Sequence, residues 1–327
     1  PPPPQDPNLT RMQVQMGYNL EEPLTWTNWL TQWRPELLFS VIAILLAAYY
    51  LHLVRRVDGW PVARTLWWLA GCAMVIVTLS SGMGMHMPAS YSAHMTVHMI
   101  LSMGVPVFLV LGAPLTLVRA AYPAGEFNPR LWAESFQRSK FLRAVTFSPV
   151  STIQFLVVFY AMYVIQPFYE LMISEHAGHL IMNFAFIISG CFYFWEIIGP
   201  DPLPKRHSTP FRLAVLFLSM PFHLFAGVYL MQLQSVLGAD FYQYLELPWD
   251  QDLLQDQRVG GGIAWGFGQF PLVIVFGKLF LDWLSDDRAT ARRHDMQADA
   301  DDDAELERYN AMLQDMGHGD ESSFRGR

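Results

Sequence analysis

Seven long apolar runs separated by short polar stretches set the pattern of this chain. They cover 36–54, 66–83, 93–117, 149–168, 177–198, 211–233 and 260–284. Each holds close to the ~20 predominantly apolar residues that a helix needs to cross a bilayer. The runs are apolar all round rather than along one stripe, which suits surroundings of lipid and other such helices. Backbone groups in lipid have no water to bond, so each run is predicted to be a helix that satisfies its own hydrogen bonds. The predicted fold class is therefore an all-α integral membrane protein, a bundle of seven transmembrane helices. Pro106 and Pro114 predict bends in the third helix. Gly262 and Gly266, four apart in the seventh, predict a close helix contact.

Positive charge gives this bundle a direction. Arg55, Arg56 and Arg64 lie in the first connection, and Arg119, Arg130, Arg138, Lys140 and Arg143 in the third. Lys205, Arg206 and Arg212 lie in the fifth, and Arg288, Arg292 and Arg293 follow the last run. The alternate connections carry acids or no charge: Glu170 and Glu175 in one, and five acids against Arg258 alone in 234–259. By the positive-inside rule the N-terminus is predicted outside and the C-terminus cytoplasmic. Three regions follow: an extracytoplasmic N-terminal segment 1–35, the transmembrane domain 36–284, and an acidic cytoplasmic tail 285–327. Trp26, Trp29 and Trp33 suit the outer interface. Residues 305–313 in the tail could form a short amphipathic helix, although a plain solvated tail reads as well.

Composition narrows the function classes. Of 327 residues 52% are hydrophobic and 15% charged, with a mean hydropathy of +0.21. Soluble domains carry about 25% charge, so most soluble enzymes, a coiled coil and a disordered chain are excluded. The net charge of −8 is concentrated in the tail, where six arginines face twelve acids. No basic footprint for nucleic acid remains. Cys72 and Cys191 each sit in an apolar run and imply no disulfide framework. The first residue is Pro1 rather than Met, as it would be after removal of a leader.

Candidate chemistry gathers on the predicted outer side. Of ten histidines, His86, His94, His98, His176, His179 and His223 fall there. His94 and His98 are four apart and His176 and His179 three apart, so each pair shares a helix face. Met95 and Met99 repeat the spacing beside the first pair, and Met83, Met85 and Met87 surround His86. His223 sits deeper, about 15 Å from the outer end of its helix. Imidazole with thioether is a soft ligand set that suits Cu(I), whereas Mg and Ca want oxygen. Glu175 and Asp256 could orient a ligating imidazole from behind. A methionine stripe in a membrane helix is ordinarily packing, and a lone histidine such as His52 is ordinarily hydrogen-bonded or snorkelling. Two same-face pairs on different helices, on one side of the membrane, go beyond that ordinary use. Glu196 and Lys278 lie near cytoplasmic helix ends and could snorkel.

Three motifs in order carry a resemblance. The run Tyr91-Ser-Ala-His94-Met-Thr-Val-His98-Met continues through Gly104-Val-Pro106 to Leu111-Gly-Ala-Pro114. His176-Ala-Gly-His179 follows, with Phe194-Trp195 and Gly199-Pro-Asp201-Pro-Leu-Pro204. Asp256-Gln257-Arg-Val-Gly260-Gly261 comes last, ahead of Trp265 and Gly268. The chain resembles the multi-spanning CtaG-type cytochrome c oxidase assembly factors associated with caa(3)-type oxidases, over about residues 30–315. The resemblance implies seven spans and a part in maturing the oxidase copper sites. Glu196 stands where the resemblance leads one to expect a neutral residue.

The expected function is thus an assembly factor in a bacterial inner membrane that holds Cu(I) near the outer face and performs no catalytic turnover. His94, His98, His176 and His179 are the expected ligands, with Met95 and Met99 as exchangeable ones. His223 would be a deeper relay, and His86 with Met83, Met85 and Met87 the place where the ion enters. The expected partners are the oxidase catalytic subunit, a periplasmic copper chaperone and membrane lipids. Two rivals stay open. A haem b-binding electron-transfer protein would use two of these histidines as axial ligands. A copper permease would need further ligands in the cytoplasmic half, which offers only Cys72, Cys191 and scattered methionines. A retinal protein is excluded: Lys278 lies about 27 Å from the outer end of its helix, and the third run has no acidic counter-ion.

Overall fold

The structure is a computed structural model. It describes residues 8–125, 127–300 and 306–314, with the side chains in those ranges except 298–300. Helix makes up 77% of the described residues, and no strand forms among them. One isolated antiparallel bridge joins Trp33 and Ser81. Two short helices, α1 (Arg11–Met16) and α2 (Trp26–Thr31), precede the first long helix. Both start on reciprocal caps, Thr10 with Gln13 and Thr25 with Asn28, which satisfy backbone donors that a helix start leaves open.

The first two apolar runs form α3 (Leu37–Val54) and α4 (Val62–Ser80), followed by the short α5 (Gly82–His86). The third run is compound. It comprises α6 (Tyr91–Met99), a π-helical turn over Ile100–Gly104, α7 (Val105–Leu111) and α8 (Pro114–Ala121). The π-turn ends beside Pro106, whose missing N–H leaves a carbonyl of the preceding turn without its usual partner. Gly190 lets a neighbouring helix close on that turn: a Cβ there would stand 2.2 Å from the Ser102 carbonyl oxygen. The predicted bends at Pro106 and Pro114 therefore coincide with real interruptions.

The connection after the third run holds α9 (Pro129–Arg138) and α10 (Lys140–Val145). The fourth run departs from expectation. It is α11 (Ser148–Tyr163) and α12 (Gln166–Ile173), which meet at 75° instead of continuing as one helix over 149–168. Pro167 is the reason: it cannot donate back to the Tyr163 carbonyl, yet it fits the first turn of a new helix. Then come α13 (His176–Ile197), α14 (Thr209–Gln232), the short α15 (Ala239–Tyr244) and α16 (Leu253–Ala300). Among the described residues, six helices are long and apolar enough to cross a membrane, or seven if α11 and α12 are one broken span. The chain is a multi-pass membrane protein.

Contacts divide the chain into two units, Pro1–Phe276 and Gly277–Arg327. In the first, α7 packs between α4 and α13, with α3 on α4 and α11 on α13. Among the described residues, a Cβ on Gly262 or Gly266 would meet nothing within 4 Å, so the predicted close contact is not theirs. Gly261 makes it, facing Gly227 of α14; a Cβ on either would stand under 3 Å from backbone of the other helix. In the second unit Lys278 is exposed and paired with Asp282 at 2.6 Å. Residues 306–314 are helical there, which covers the predicted tail helix except Glu305, a residue outside the described set. Leu306, Tyr309, Met312 and Leu313 of that helix are exposed.

Candidate metal site

The helix that bears His94 and His98 is fixed at its start by an acid from another helix. Asp256 of α16 accepts from the Tyr91 N–H at 2.7 Å, the Ser90 hydroxyl at 3.1 Å and the Gln251 amide at 3.0 Å, and from the Ser92 hydroxyl. A carboxylate here meets open N–H groups and the positive end of the helix dipole. This corrects the expected role of Asp256. Its carboxylate supports no imidazole directly; it holds the helix that carries two of them.

The spacing of four brings the His94 and His98 rings together, with centroids 4.4 Å apart. Their face meets α13, where the His179 ring lies 5.4 Å from His94 and Phe186 lies 4.5 Å from His98. Tyr163 and Tyr169 complete the surround, 6.0 and 5.8 Å from the His94 ring. His94 and His98 are fully buried.

Hydrogen bonding separates the three imidazoles. His98 Nε2 donates to Asn183 Oδ1 at 3.1 Å, and its Nδ1 accepts the Tyr163 hydroxyl at 2.5 Å. A neutral ring has one donor and one acceptor, so His98 has no lone pair to offer. His179 Nδ1 donates to the Glu175 carbonyl at 3.3 Å, which leaves the Nε2 lone pair bare. Glu175 thus acts through its main chain, not its carboxylate. Among the described residues, neither nitrogen of His94 has a partner. Leaving a buried polar group unbonded costs about 1–3 kcal/mol, and native interiors keep few such groups.

A cavity of about 80 Å³ reaches this cluster from the end of the bundle where α6 and α13 begin. Met85, Met87, His176, His179 and Asn183 line it, so four residues singled out from sequence converge on one space. The N-terminal segment forms its other wall through Met16, Tyr18 and Arg34. The Tyr18 hydroxyl donates to the Met85 carbonyl, and the Gln15 amide to the Ser174 carbonyl. Burial pushes the Tyr18 hydroxyl up to about 12, against the pull of Arg34.

Other expected ligands stand apart from the cavity. His86 has its two nitrogens against main-chain carbonyls, Gly82 at 2.7 Å and Glu22 at 2.9 Å, of which a neutral ring can donate to one, and so lies between the N-terminal segment and α5. Met83 and Met95 are buried in the main core. Met99 faces Gly268, its Sδ 3.7 Å from where a Cβ would lie. His223 sits about 14 Å along α14 from its C-terminal end, between Phe155 and Phe159 at 5.3 and 5.6 Å. Both its nitrogens are unpartnered among the described residues. Among the described residues, no group of three or more His, Cys, Asp or Glu side chains is placed to hold a metal ion.

Residues 45–286, most of the chain, match the family described as cytochrome c oxidase caa3 assembly factor, Caa3_CtaG. The chain belongs to that family. It is also 39% identical over 317 residues to uncharacterised proteins of Mycobacterium bovis and Mycobacterium tuberculosis. A Mycobacterium leprae protein, likewise uncharacterised, is 37% identical over 319 residues. Each match covers 94% of this chain and 48% of the relative, so the chain spans about half the length of these curated relatives. No solved structure matches it.

The motifs of this caa3 assembly-factor chain have structural duties that sequence did not disclose. Asp201 does for α8 what Asp256 does for α6, accepting from Leu115 N–H at 3.0 Å, Thr116 N–H at 2.7 Å and the Thr116 hydroxyl at 2.6 Å. The first and last helices of the broken third span are thus each held by a distant aspartate. Glu196 does not snorkel. It is fully buried, accepts from Ser148 Oγ at 3.2 Å and faces His207 Nδ1 at 3.5 Å. Sequence reasoning missed Tyr163 and Asn183, which carry no metal-ligand signature. It also missed the structured N-terminal segment, although Thr10-x-x-Gln13 is a helix-start signature.

Proposed function

We propose that this caa3 assembly factor holds Cu(I) between His94 and His179 and passes it sideways to the oxidase catalytic subunit. In this reading the cavity opens on the extracytoplasmic face of a bacterial inner membrane, with the N-terminus outside and the C-terminus cytoplasmic. The observation that carries the reading is the pair of bare imidazoles. Three nitrogens on two buried rings, whose centroids are 5.4 Å apart, lack any hydrogen-bond partner among the described residues, behind a methionine-bearing cavity. Imidazole and thioether are the donors a soft monovalent ion prefers. Met85, Met87 and His176 would receive the ion, from a periplasmic copper chaperone or free in the periplasm, and His179 would pass it to His94. His98, held by Tyr163 and Asn183, positions His94 rather than binding. Met95, Met99 and His223 remain candidates for a deeper, weaker station. Few ligands mean exchangeable binding, which a carrier needs in order to release its cargo.

The test is oxidase maturation in cells carrying His94→Ala or His179→Ala. Either variant should reach the membrane at normal levels and yield oxidase with little copper at its catalytic centre. Copper-replete oxidase in both strains would overturn the proposal.

A further inference from the structure

A second cavity, of about 300 Å³, lies at the other end of the bundle. That size is at the lower end of ligand-binding pockets. Its walls are apolar: Trp68 of α4, Leu109 and Val110 of α7, and Ile188, Phe192 and Trp195 of α13. Ile188 is 49% exposed on a membrane-spanning helix, so the mouth looks onto lipid. From Ile188 to Trp195 the helix rises about 10 Å, and the cavity continues to Asp201. One leaflet of hydrocarbon is about 15 Å deep. The cavity therefore has the direction and depth of a single acyl chain.

The segment beside the Trp195 end of the cavity is built for the membrane surface. Ala133 and Gln137 of α9 are buried on the bundle, while Leu131, Trp132 and Phe136 are exposed, as are Phe127 before and Phe141 after the helix. Exposed aromatics beside cations mark the headgroup level. Two of them touch the cavity walls: Phe136 lies 6.3 Å from Trp195, and Phe141 lies 6.0 Å from Phe192. Around Phe141 stand Lys140 and Arg143, both exposed and in no ion pair among the described residues. The nearby Arg130 is already bound to Glu134 at 2.7 Å. Asp201, the acid in the cavity lining, has its carboxylate turned to the start of α8.

We propose that this slot holds one acyl chain of an anionic phospholipid, with its phosphate on Lys140 and Arg143. Apolar walls alone would accept any lipid tail; two exposed cations on the surface segment select the headgroup. Each basic residue near a membrane surface favours an anionic lipid by roughly fivefold.

Native mass spectrometry of the detergent-purified full chain tests this directly. The chain is equilibrated with equal amounts of phosphatidylglycerol and phosphatidylcholine carrying identical acyl chains. The expected result is one retained phosphatidylglycerol, favoured at least about tenfold. Lys140→Glu with Arg143→Glu, both at exposed positions, should bring the ratio to one or below. Ile188→Trp should block the mouth and remove retained lipid of both kinds. Equal retention of the two lipids by the unaltered chain would overturn the proposal, as would a preference that survives the double substitution. Should Ile188→Trp fail to fold, the charge variant decides alone.

Discussion

His94 and His98 are neighbours of the same type on one helix face, yet they have opposite energetics. Removing His98 leaves Tyr163 and Asn183 without their partner, at an expected cost of about 1–3 kcal/mol. Removing His94 leaves nothing unpaired, since neither of its nitrogens is bonded. His94→Phe is therefore expected to unfold at the same temperature as the unaltered copper-free chain, or higher, while His98→Ala unfolds earlier. Thermal unfolding in detergent measures both, and equal destabilisation by the two would contradict the assignment of roles. A site that lowers stability in order to keep its donors free is a recurrent pattern in functional proteins. Tyr18 provides a pH test. Its folded-state value lies above the ordinary 10.0, at about 12, so its contribution is complete below pH 10 and is lost as pH rises toward 12. Protease cleavage within residues 8–35 should rise across that window, and Tyr18→Phe should remove the dependence. The pairing of His94 with His98 was legible from their spacing. Which nitrogens are free was not, because the partners that decide it come from α11 and α13.

At the scale of elements, the third span is the part the sequence described least well. Pro106 and Pro114 mark its breaks, but nothing local announces that Asp256 and Asp201, from distant parts of the chain, hold its pieces. Asp256→Asn keeps the shape and removes the charge at the start of α6. It should lower stability by about 1 kcal/mol through the lost dipole interaction and loosen copper binding less than loss of His94 does. The fourth run was read through Pro167 because the residues on both sides are apolar; only backbone geometry tells a break there from a bend. The seventh run teaches a similar lesson. Gly262 and Gly266 have the spacing of a helix contact, but the contact uses Gly261 against Gly227. Gly261→Leu should therefore destabilise the bundle strongly, since the clash is with backbone, while Gly262→Leu enters open space and should be tolerated. Retention of folded, monodisperse protein after detergent extraction distinguishes them, and the reverse order would refute this packing.

For the whole molecule, the apolar runs and the fold class were legible because lipid imposes the same demand along every span. Orientation rests on charge, and reporter fusions check it: a fusion after residue 130 should read cytoplasmic and one after residue 245 periplasmic. The opposite result at both would put the cavity on the wrong side for a periplasmic source. A carrier and a permease also differ at this scale. Beyond His223 an ion would cross roughly another 15 Å of hydrocarbon with few ligands. His223→Ala should leave uptake of labelled copper into intact cells unchanged, and a fall in uptake would favour a permease.

The central claim is that His94 and His179 together hold Cu(I). Anaerobic titration of the purified full chain with Cu(I), followed by X-ray absorption at the copper edge, tests it most directly. The account predicts one bound Cu(I) with two imidazole nitrogens in its first shell. Affinity should fall by more than the roughly 10–100-fold that loss of a supporting residue costs in both His94→Ala and His179→Ala. An unchanged affinity in either variant, or a spectrum without imidazole scattering, would contradict it.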